Sequence, residues 1–124
     1  MVVSVWVKNF GQTPAKDLTS FLHISLQKLP LTVSLDPPTY EPASSKSPLA
    51  PGERVLQEIT FAETLNQSEI KTIIKGEGAI FVHGELLYTD VFDKERFTRF
   101  CLYSTGEAFK NGMFTYYHEG NEAN

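Results

Sequence analysis

The chain of 124 residues carries a formal net charge of −4, with nine Phe, five Tyr and one Trp among its side chains. That length fits one domain able to bury a core without metal or disulfide staples, and the aromatic content argues against disorder. Acids and bases are interspersed, with no basic footprint to displace counterions from phosphates, which excludes nucleic acid as a partner; a single cysteine, Cys101, excludes an internal disulfide.

Taken in chain order, Val3, Val5 and Val7 alternate with Ser4, Trp6 and Lys8, the period-two pattern of a half-buried strand. This apolar run is too short for a signal peptide or a transmembrane segment. The expected location is cytoplasmic if the chain is complete, and periplasmic or otherwise extracytoplasmic if it is a fragment of a membrane-anchored protein. Asn9 to Pro14 supplies turn residues. Leu18, Ser20, Leu22, Ile24 and Leu26 then alternate with Thr19, Phe21, His23, Ser25 and Gln27 as a second strand. Residues 30–51 hold Pro30, Pro37, Pro38, Pro42, Pro48 and Pro51. Proline removes ladder donors, so at most a short edge strand at Leu31–Leu35 is expected inside a surface excursion.

Val55, Gln57, Ile59 and Phe61 begin a third strand after the Pro51-Gly52 turn. Asn66 and Glu69 have the spacing of a capping box, Leu65 and Ile70 that of a hydrophobic staple, and Ile70, Ile73 and Ile74 form one stripe ending at Gly76. A short helix over 66–75 follows. Ala79–Asp90 and Glu95–Ser104 read as a hairpin around Val91 to Lys94, and Met113 to Tyr117 as a last strand. The fold class is mainly β: a two-sheet, immunoglobulin-like β-sandwich of six or seven antiparallel strands with one short helix. Residues 1–118 form a single domain, and the polar tail 119–124 is expected to fray.

Two segments resemble motifs of an uncharacterised group of bacterial extracytoplasmic β-sandwich domains. Val5-Trp-Val-Lys-Asn-Phe-Gly-Gln-Thr-Pro-Ala15 is similar to their Asn-x-Gly-x-Thr-Pro-Ala opening. Gly84-Glu-Leu-Leu-Tyr-Thr-Asp-Val-Phe-Asp-Lys94, followed by Thr98-Arg-Phe-Cys101, is similar to their Tyr-x-Asp-x-Phe hairpin, and Glu119-Gly-Asn-Glu-Ala-Asn124 looks like their acidic tail. The resemblance implies the sandwich fold and a domain facing away from the cytoplasm behind one or two membrane helices. It implies no activity and no catalytic residues.

Nothing in the sequence assembles a catalytic set, and no cofactor is implied. Cys101 lies in the apolar run Phe100 to Tyr103 and reads as a buried structural thiol, away from the electropositive niche of a reactive thiolate. His23, His83, Cys101 and His118 lack metal-ligand spacing. Asp90, Asp93 and Glu95 cluster at the hairpin tip as weak candidates for calcium, which wants about six or more oxygens; ordinary turn chemistry is the preferred reading. Glu58, Glu85 and Asp90 are the carboxylates from which a glycosidase pair would have to come.

One feature leans towards binding. With Ile80, Val82, Leu86 and Tyr88 facing the core, Phe21, His23, Leu56, Phe81, His83 and Leu87 form an apolar second face. It is expected to pack under the helix stripe or else to contact a protein partner or a second copy, a homodimer being the commonest oligomer. The expected function is a non-enzymatic interaction module binding a protein partner or itself, through a sheet face, an edge strand or the proline-rich loop. The alternative is a small-ligand or carbohydrate-binding module using Trp6, Tyr40 or Tyr116; an unrecognised hydrolase comes third.

Overall fold

A computed structural model describes residues 1–32, 35, 47–61 and 64–124. Most of the proline-rich stretch, Tyr40 included, lies outside them; of the expected edge strand at Leu31–Leu35, the described residues Leu31, Thr32 and Leu35 are in no strand. Among the described residues the fold is mainly β, with eight antiparallel strands and two short helices. The strands are β1 (Val2–Lys8), β2 (Ala15–Lys28), β3 (Ser47–Leu49), β4 (Arg54–Thr60), β5 (Gly78–Thr89), β6 (Glu95–Ser104), β7 (Thr115–Tyr116) and β8 (Glu122–Ala123). The helices are α1 (Gln67–Ile74) and α2 (Gly106–Lys110).

The strands form two unequal sheets. β1 and β4 make a two-stranded sheet; the larger one runs β3-β2-β5-β6-β7, with β8 also on β6. Period-two burial turns Val3 and Val7 of β1 inward onto two apolar clusters, one with Ile24, Ile73, Ile80 and Val82, the other with Ala15, Leu18 and Leu49. The sheets therefore stack as a lopsided sandwich, two strands over six.

Local chemistry explains several elements. The Asn66 side chain accepts the Glu69 N–H at 2.8 Å, and Glu69 Oε1 accepts the Asn66 N–H at 3.0 Å, so the expected capping box starts α1. Asn9 organises the first turn: Oδ1 accepts the Gly11 N–H, and Nδ2 donates to the Thr13 and Leu49 carbonyls. These bonds tie the end of β1 to β3 and give the Asn-x-Gly-x-Thr motif its physical content.

Three expectations are corrected. α1 does not lie under the Phe81 face; Ile73 joins Ile80 and Val82 on the opposite side of β5. A second helix, α2, forms after Ser104; its N-cap residue, Thr105, makes no side-chain cap bond and gives its hydroxyl to the Ile73 and Gly78 carbonyls instead. The tail does not fray: Asn121 Oδ1 accepts the Cys101 N–H, its Nδ2 donates to the Cys101 and Tyr117 carbonyls, and Asn124 Oδ1 accepts the Phe97 N–H. The side-chain amides stand in for ladder partners along the β6 edge, next to its backbone pairings with β7 and β8.

Candidate functional site

The imbalance between the sheets leaves an open cleft of about 680 Å³. β1 forms one wall, and Thr98, Phe100 and Leu102 of β6 with Phe114 and Tyr116 form the other, over a floor that includes Val82, Leu86 and Tyr88. The inner face of β6 is only half-buried because no strand of the smaller sheet lies above it.

β1 offers this cleft a free edge. The flanking bonds, Phe61 N–H to Met1 O and Asn9 N–H to Glu53 O, fix the phase of the β1–β4 ladder. Hydrogen-bonded and non-hydrogen-bonded pairs alternate in an antiparallel ladder, so Val3, Val5 and Val7 bond to β4. Val2, Ser4, Trp6 and Lys8 point their N–H and C=O groups away from it, with no strand beyond among the described residues. Seven residues long and free of proline or bulge, this edge lacks the usual protection against pairing apart from Lys8. Trp6 is half exposed, with the Arg54 guanidinium 4.5 Å from its ring centre.

The charged side chains lining the cleft are Lys8, Arg96 and Asp90. Asp90 is occupied: Oδ1 accepts the Phe92 and Lys94 N–H groups and Oδ2 accepts Arg96 Nε at 3.0 Å. The Lys94 amide, with Arg96 and the Phe92 amide behind it, holds this carboxyl below the usual carboxylate range.

The residues singled out in the sequence scatter. Phe81 is fully buried and His83 is 5 % exposed, so neither belongs to an open face. Leu29, Leu31, Leu35, Tyr103 and Tyr117 pack over the Phe81 side of β5. Leu56 lies on the other sheet, paired with Trp6. Phe21, His23 and Leu87 do share the outer face of the larger sheet, where register puts Phe21 beside Glu85 and His23 beside His83. Register also sets His83 beside Cys101, and the His23 and His83 rings meet edge-on at 5.3 Å. This row was readable from the hairpin, because closing it at Asp90 and Lys94 makes His83 and Cys101 cross-strand partners.

Cys101 is 3 % exposed, and burial, with Glu119 adding to it, pushes the thiol up to about 11. It is a poor nucleophile at neutral pH. Among the described residues no group of three His, Cys, Asp or Glu side chains is arranged to hold a metal. Asp93 pairs with Lys16 at 2.8 Å across the hairpin tip. Glu58 stands on the exposed side of β4, and Glu85, on the other sheet, is held by Arg99 Nε at 2.7 Å, so these carboxylates do not face each other. Trp6 and Tyr116 both line the cleft, whereas Tyr40 lies outside the described residues.

Sequence reasoning missed the cleft. Its walls come from strands far apart in the chain, and only the unequal strand count opens it. Its one local signal was the alternating Val2–Lys8 run with no following strand to pair its second edge. Comparison with protein-family models, with curated proteins and with solved structures finds no match to this chain. No helix among the described residues is long and apolar enough to cross a membrane.

Proposed function

We propose that the chain is a non-enzymatic interaction module that takes an extended segment of a partner protein as an added strand along β1. The carrying observation is the coincidence of a free strand edge with an uncovered apolar sheet face, the two surfaces an added strand needs at once. In a sandwich one strand residue fills roughly 160 Å³, from strand and layer spacings of about 4.8 and 10 Å and a rise of about 3.4 Å. The cleft therefore suits roughly four strand residues, alternate side chains resting on Val82, Phe100 and Leu102. A second copy fits less well. Pairing β1 with β1 about a two-fold axis would drive both overhanging larger sheets into the same space. The motif-based kinship to bacterial extracytoplasmic sandwich domains remains part of this proposal.

Titration with a synthetic seven-residue peptide of alternating Val and Thr, read by Trp6 fluorescence, tests it. The natural chain saturates. Ser4→Pro, which removes an N–H from the free edge and none from the β4 ladder, keeps the melting transition and loses the peptide. Equal binding by both chains contradicts the proposal.

A second reading has one observation in its favour: Trp6 and Tyr116, both exposed aromatics, line the same cleft, and aromatic rings are what a saccharide stacks on. A rise in melting temperature with oligosaccharides supports it, and a flat response up to millimolar sugar retires it.

A further inference from the structure

Resting on strand addition at β1, we infer that the docked segment carries a carboxylate at one end, held where Lys8 and Arg96 meet the cleft; the partner is an apolar strand flanked by an acidic residue. The two cations belong to the same end. Val7 packs in one cluster with Leu86 and Tyr88, and Arg96 is the cross-strand partner of Tyr88. Lys8, the residue after Val7 and the last of β1, sends its side chain to the opposite face of that strand, so the two cations flank this end of the cleft from its two sides.

Both cations retain unused donors. Arg96 commits Nε to Asp90, while its two terminal nitrogens have no partner among the described residues. Lys8 forms no ion pair among them; its Nζ lies 5.0 Å from the centre of the Phe10 ring. Asp90, the one acid lining the cleft, already accepts three hydrogen bonds. The cleft is thus locally cationic in a chain of net charge −4. Its far end, at Val3, Leu102 and Phe114, is lined by no charged side chain. A guanidinium with two free N–H groups on one edge suits a carboxylate.

An apolar chain ending in a carboxylate also describes a fatty acid. The peptide is favoured because a fatty acid leaves the outward backbone groups of Ser4, Trp6 and Lys8 unpaired, whereas a strand fills them.

Fluorescence anisotropy with the full chain decides. The probes are labelled, end-blocked heptapeptides Ser-Val-Thr-Val-Thr-Val-Glu and Glu-Val-Thr-Val-Thr-Val-Ser, each with a counterpart carrying Lys for Glu; both orders are needed because a strand docks in either direction. At low salt one Glu-bearing peptide binds about tenfold tighter than its Lys counterpart. The ratio shrinks at about 1 M salt and reverses in Lys8→Glu, an exposed position where the melting transition is kept. Equal binding by Glu and Lys peptides overturns the charge inference and leaves strand addition standing. Binding by none of the four overturns strand addition itself. Dodecanoate bound where no peptide binds overturns both.

Discussion

Gly84 and Cys101 show how single positions are dictated by their neighbours across the larger sheet. Gly84 pairs with Leu22, and a Cβ there would run into the Phe21 carbonyl oxygen. Backbone cannot retreat as a flexible side chain can, so Gly84→Ala is expected to cost about 3 kcal/mol or more in chemical denaturation. A cost within experimental error would mean that β2 and β5 are not so closely paired. Cys101 is covered by the tail, where a Cβ on Gly120 would come within 3.0 Å of the cysteine Cβ. With its pKa pushed to about 11, the thiol holds its proton in the native state well above the ordinary range. Its stabilising effect is complete below the unfolded thiol's pKa and is lost as pH rises through the folded value. At pH 8 the native thiol should react with iodoacetamide roughly a hundredfold more slowly than the unfolded chain, from thiolate fraction alone. Equal rates would place Cys101 at the surface.

At the scale of elements, legibility followed how local the determinants were. The α1 capping box, the tip of the β5–β6 hairpin and β1 are each specified within a dozen residues and are directly legible. The faces of β5 were misread because alternation was assumed where none holds. Ala79, Ile80, Phe81 and Val82 are all buried, and a continuous apolar run of this kind marks a strand covered on both sides. The polar residues of the tail suggest a solvated end, but Asn121 and Asn124 use their amides as ladder substitutes. β1 makes the sharpest prediction at this scale. Proline at Ser4 removes only an outward N–H, whereas proline at Val5 removes a bond to β4. Thermal and urea melts should therefore show Ser4→Pro close to the natural chain and Val5→Pro destabilised by about 3 kcal/mol. Similar losses at both positions would mean that the ladder phase is wrong.

At the scale of the molecule, the mainly β class was legible because alternation and turn residues recur along the chain. How the strands divide between sheets was not, since that depends on contacts between distant segments. The division is what matters for function: two strands over six leave β6 half-covered and β1 with an open edge. A sandwich with equal sheets would cover the β6 face. Residue-by-residue amide hydrogen exchange along β1, followed by NMR with and without the alternating Val/Thr peptide, tests this most directly. In the free chain the account predicts slow exchange at Val3, Val5 and Val7 and fast exchange at Ser4, Trp6 and Lys8, with the peptide slowing the second set. Uniform protection along β1 in the free chain, or exchange at Ser4, Trp6 and Lys8 unchanged at saturating peptide, would contradict it.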